Sequence, residues 1–125
     1  MILADTSVWI EYFRADDAEM RALLGNEQIL MHPFVIAELA LGSLHDRSKT
    51  LARLDRLPRV QVAQLDEVRR MIEVHSLYSK GIGLIDAHLV ASCLVMQDVQ
   101  LWTHDSRLGG VARALGVMAV VPTVN

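Results

Sequence analysis

The chain has 125 residues, 52% of them apolar, a formal net charge of −3 and a pI near 5.9. That length suffices for one domain, residues 1–125, with a core that needs neither disulfides nor a structural metal. The acidic balance excludes a protein that grips nucleic acid chiefly through a uniformly basic surface, but not a nuclease whose acids gather at a metal site.

Ile2-Leu3-Ala4 reads as a first strand, and Met1 to Asp5 reaches an acid too soon, without a basic start, for a secretory signal. A helix through Trp9 and Phe13 follows, then another around Ala18 to Leu24 and a second strand from Gln28 to Met31. Pro33 suits the first turn of a helix ending near Gly42. A helix over Ser48 to Leu57 is stopped by Pro58, after which Val60 and Val62 alternate with polar neighbours as a third strand would. Asp66 to Lys80 is amphipathic, with Val68, Met71, Ile72 and Tyr78 on one side, and Gly81 and Gly83 end it.

Ile85 to Met96 reads as a buried helix. The low-charge run around it, Gly81 to Gln97, carries Asp86 and His88 and is too short and polar for a membrane span. Cys93 lies in this run with no partner cysteine, so a reducing cytoplasm is the expected compartment. Val99 to Trp102 makes a fourth strand, Ser106 to Leu115 a helix, and Met118 to Val121 a last strand. Strands alternating with helices imply an α/β fold with a mainly parallel sheet of four to five strands, whose ligand site lies beyond the strands' carboxyl ends. Asp5 and Asp105 both fall near such ends.

Glu38 is the only charged residue between His32 and Leu41, and at helical spacing it aligns with Phe34 and Leu41, which places a carboxylate on the stripe expected to face the core. Asp5, Asp86 and Asp105 each stand where an ordinary helix cap would also stand. Four acids in one crevice would repel and take up protons unless a divalent cation met them. Mg²⁺ and Mn²⁺ favour such hard oxygen ligands, and an ion held this way acidifies water and offsets charge on a phosphoryl group. Phosphodiester hydrolysis is the reaction class that fits. Thr6, Ser7 and Thr103 add hydroxyls at the same edge, while the five histidines form no ligand pattern.

Asp5-Thr6-Ser7 after the first strand, Glu38-Leu39 with Gly42, Asp86-Ala87 after a Gly-rich turn, and Thr103-His104-Asp105 after a late strand resemble the PIN domain. More narrowly, they resemble the VapC toxins of bacterial type II toxin–antitoxin pairs, over essentially the whole chain. The resemblance implies a three-layer α/β/α fold and a Mg²⁺- or Mn²⁺-dependent endoribonuclease. Asp5, Glu38, Asp86 and Asp105 are then the acidic quartet that holds the metal, with Thr6, Ser7 and Thr103 supporting. It also implies an RNA substrate cut by in-line attack of water, a VapB-type antitoxin partner and a homodimer. Where some relatives carry a further acid, this chain has Ser106-Arg107-Leu108.

Arg14 and the basic run from Arg47 to Arg59 are candidates for RNA backbone contacts, and Leu39, Leu44, Leu51 and Leu54 for an antitoxin groove. Two other readings compete. A catalytically silent PIN-like binding module would keep the fold without cleavage, and a receiver-like signalling domain would need a paired acid at the first strand and a late lysine, which this chain lacks.

Overall fold

A computed structural model of the protein describes residues 1–121. Three strands, β1 (Ile2–Ala4), β2 (Ile29–Leu30) and β3 (Gln100–Trp102), form a parallel sheet in the order β2-β1-β3. Around it are α1 (Thr6–Ala15), α2 (Ala18–Gly25), α3 (Pro33–Leu41), α4 (Arg47–Asp55), α5 (Leu65–Val74), α6 (Leu84–Val95) and α7 (Ser106–Ala114). The register pairs Leu3 with Leu30 on one side and with Leu101 on the other. Leu3 and Leu101 are fully buried, and each contributes about 1.5–3 kcal/mol of transfer free energy.

The parallel α/β architecture is the expected one, but the sheet has three regular strands rather than four to five. The two missing strands survive as single parallel bridges, Met31 to Arg59 and Leu101 to Met118. Beyond Val60 the chain leaves the sheet for α6: the Gln61 N–H donates to Met96 Sδ at 3.2 Å, and its carbonyl accepts from Ser92 Oγ at 2.7 Å. Val62 is consequently exposed. On the other edge Leu101 pairs with Val117 and Ala119, and the pairing stops as Val120 turns to solvent.

Two other expectations change. The amphipathic helix ends at Val74 instead of Lys80, because Ser76 and Ser79 adopt left-handed backbone conformations, and Tyr78 is exposed. In α3 the core face is Val35 and Leu39, while Leu41 is 89% exposed. Glu38 therefore sits half-buried on the flank of the helix rather than on a stripe running into the core.

Helix ends are closed by side chains. His32 caps α3 through Nδ1, which accepts from the Phe34 N–H at 3.0 Å, and Arg47 donates to the carbonyls of Ala40 and Gly42 at its far end. α1 packs on α2 and α3, α3 on α4, and α6 on α5 and β3. Among the described residues no helix is long and apolar enough to cross a membrane. Cys93 is buried and unpaired, and burial pushes its thiol up to about 12, so it is inert in the folded protein.

Candidate active site

The chain runs from β1 to β2 on one side of the sheet and later returns to β3 on the other. The order thus reverses between β1 and β3, and a crevice opens at their carboxyl ends. Asp5 follows β1 directly, and Thr103 and Asp105 follow β3. α3 carries Glu38, and the first turn of α6 carries Asp86.

Asp5 is 5% exposed, and both its oxygens are engaged. Oδ1 caps α1 by accepting from the Val8 N–H at 3.2 Å and also accepts from Ser7 Oγ at 2.5 Å. Oδ2 accepts from the buried Thr103 hydroxyl. Ser7 Oγ accepts in turn from the His104 N–H, and Thr103 Oγ1 from the Asp105 N–H, each at 3.0 Å. The two strand ends are thereby tied together through hydroxyls.

The remaining acids are each held by one oxygen. Glu38 Oε1 accepts from Thr6 Oγ1 at 2.6 Å. Asp105 Oδ1 caps α7 by accepting from the Arg107 and Leu108 N–H groups, both at 2.9 Å, and Asp86 Oδ2 accepts from the Gly83 N–H at 3.3 Å. Three of the acids therefore do cap helices, as their positions allow, and still keep acceptor capacity toward the crevice.

Burial raises the proton affinity of Asp86, and the charges of Asp5, Asp105 and Glu38 raise it further, against the lowering effect of the Gly83 hydrogen bond. Asp86 thus lies near enough to Asp5, Asp105 and Glu38 to feel the charge of each. Among the described residues none of them forms an ion pair with Lys, Arg or His. Nor do any three His, Cys, Asp or Glu side chains there already converge to ligand distance about one point. Hard oxygen donors, mutual repulsion and no protein cation fit a divalent ion, which would draw the carboxylates inward.

His32, at the start of α3, and His88, on α6, are buried, with the Phe34 ring 5.0 Å and 4.8 Å from them. Burial foremost, then the neighbouring His88 and Arg59, lowers His32 to about 4, so it is neutral near pH 7. In the sequence the histidines form no ligand pattern, and nothing there singles out His32 or His88 as a ligand. The Pro33 that follows His32 was the available signal for its capping role.

A cavity of about 800 Å³ lies beside the acids and touches only Glu38 of the four. Leu39, Leu44 and Leu54 line it but Leu51 does not, and Leu39 and Leu54 are also core residues. Of the cations expected to contact RNA, Arg14 pairs with Glu11, Arg59 pairs with Asp55, and Arg47 caps α3.

Residues 2–114 match the family model of the PIN domain. Over 117 residues, 94% of each chain, the sequence is 44% identical to Ribonuclease VapC32 of Mycobacterium tuberculosis. Over 130 residues, 95% of this chain and 97% of the relative, it is 29% identical to Ribonuclease VapC11 of Mycobacterium tuberculosis. The same figures hold for VapC ribonuclease Mb1587 of Mycobacterium bovis.

Proposed function

The chain belongs to the PIN-domain family, and from that premise we propose that it is an endoribonuclease toxin of a VapBC-type pair, dependent on Mg²⁺ or Mn²⁺. The observation that carries the proposal is the gathering of acids at the carboxyl ends of β1 and β3, where Thr103 ties Asp5 to the Asp105 segment, Asp86 feels the charges of Asp5, Asp105 and Glu38, and among the described residues none of the four has an ion-pair partner. Asp5, Glu38, Asp86 and Asp105 would hold the ion. When bound, it would acidify a water and offset charge developing on the scissile phosphate.

The protein's own residues supply the positioning. Thr103 and Ser7 fix the Asp5 carboxylate, so little reorganisation is left for the reaction itself. Thr6 orients Glu38 across the gap between α1 and α3. A bound cation would favour the ionised form of Asp86, whose proton affinity is raised by burial and by the neighbouring acids.

A small VapB-type antitoxin is the proposed partner, with the cavity between α1, α3 and α4 as its seat. The exposed Ile10 and Phe13, on the helix that borders this cavity, support that placement. A homodimer is also proposed. Exposed Val74 and Leu84, on helices that pack together, are consistent with one. Residues 1–125 are taken as one domain acting in the cytoplasm.

The test is incubation of purified, partner-free protein with labelled RNA, with and without EDTA. Cleavage that requires metal and disappears in Asp5→Asn supports the proposal. Binding without cleavage at any metal concentration would favour the silent module instead.

A further inference from the structure

Gly81 has φ of +79°, and an added Cβ there would lie 2.6 Å from Arg107 Cδ, 3.1 Å from Nη1 and 3.2 Å from Nε. The arginine arm thus passes over the Gly81 Cα, at a position whose positive φ favours glycine. Arg107 is two residues beyond Asp105, and Gly81 opens the loop that delivers Asp86. The guanidinium therefore spans the two segments that supply two of the four acids.

Arg14, Arg21 and Arg59 pair with carboxylates and Arg47 with carbonyls, whereas among the described residues Arg107 makes no ion pair or side-chain hydrogen bond. It is exposed, and among the described residues it forms no ion pair with any of the four acids.

We propose that Arg107, laid across Gly81 at the rim of the carboxylate crevice, binds a phosphate of the RNA strand next to the one that is cut. The inference rests on the ribonuclease reading. A planar guanidinium matches two non-bridging phosphate oxygens. Beside an ion held by the acids, Arg107 adds a second positive charge on an otherwise acidic chain of net charge −3, where a neighbouring phosphate of the strand would pass.

The experiment compares wild type, Arg107→Gln and Arg107→Lys. It measures anisotropy of a fluorescein-labelled, mixed-sequence single-stranded RNA in Ca²⁺ at several salt concentrations, Mn²⁺ affinity without RNA, and RNA cleavage in Mn²⁺. Arg107→Gln is expected to weaken RNA binding about tenfold. The salt slope should fall by about 0.7, the value for one phosphate contact to a single strand. Arg107→Lys should restore the slope and part of the affinity, and Mn²⁺ affinity should be the same in all three. Wild-type RNA affinity and slope in Arg107→Gln would overturn the proposal, as would tighter Mn²⁺ binding with RNA binding unchanged. A wild type that binds RNA with the Arg107-dependent slope but never cleaves would overturn the ribonuclease reading while supporting the phosphate contact.

Discussion

Thr103 donates its hydroxyl hydrogen to Asp5 Oδ2 across 98 residues of sequence, joining the ends of β3 and β1. Thr103 Oγ1 in turn accepts from the Asp105 N–H, so one hydroxyl sets the positions of two of the acids. Thr103→Val leaves a buried carboxylate oxygen and a backbone N–H unpaired, and is expected to cost about 2 kcal/mol of stability. Metal affinity should fall by roughly 10–100-fold, as for other supporting hydrogen bonds at metal sites. Thr103→Ser should recover most of both, measured by urea unfolding and Mn²⁺ titration.

Asp86→Asn removes a half-buried charge that three other acids repel, yet keeps an acceptor for the Gly83 N–H. In EDTA its thermal midpoint should exceed wild type by about 3 °C. Adding Mn²⁺ should raise the wild-type midpoint and leave that of Asp86→Asn nearly unchanged. Calorimetry of both proteins in both conditions checks the reversal.

Burial keeps His32 neutral in the folded state down to about pH 4, against an ordinary value of 6.5. As pH falls from 6.5 toward 4 the unfolded chain takes up this proton first. The contribution of His32 is therefore full above pH 6.5 and lost through that window. Asp86 acts in the opposite sense in acid, because the folded state holds its proton more tightly. The contribution of His32 is isolated by comparison with His32→Asn, which still offers a cap to Phe34. Wild-type stability should decline more steeply than that of the variant between pH 6.5 and 4.5 in urea titrations.

Leu101 is fully buried, pairs with Leu3, and bonds to Val117 and Ala119 on its other side. Leu101→Ala should cost about 3 kcal/mol by leaving a cavity at the centre of the sheet. Because Thr103 lies two residues on, RNA cleavage by the folded fraction should fall as well. Unfolding curves and activity measured on the same samples check both effects.

The alternation of strands and helices was legible because apolar runs and glycine or proline stops mark each element. Asp5 and Asp105 could be placed on one edge because strand ends in a parallel sheet share it. The side on which Glu38 stands was not legible. Phe34, Glu38 and Leu41 share a helical spacing, but α3 is apolar nearly all round, so periodicity cannot choose between that stripe and Val35 with Leu39. Val60 and Val62 alternate like a strand, yet the tertiary bonds of Gln61 to α6 decide otherwise. The contact of Arg107 with Gly81 joins residues far apart in the chain, and neither residue type announces it.

Four carboxylates from separate parts of the chain are proposed to form one divalent-cation site. This is tested most directly by titrating partner-free protein with Mn²⁺ and following free ion by electron paramagnetic resonance, in wild type and in Asp5→Asn, Glu38→Gln, Asp86→Asn and Asp105→Asn. Saturable binding by the wild type, weakened in every folded variant, is the predicted result. Binding that survives all four substitutions, or a wild type that takes up no Mn²⁺, would contradict it.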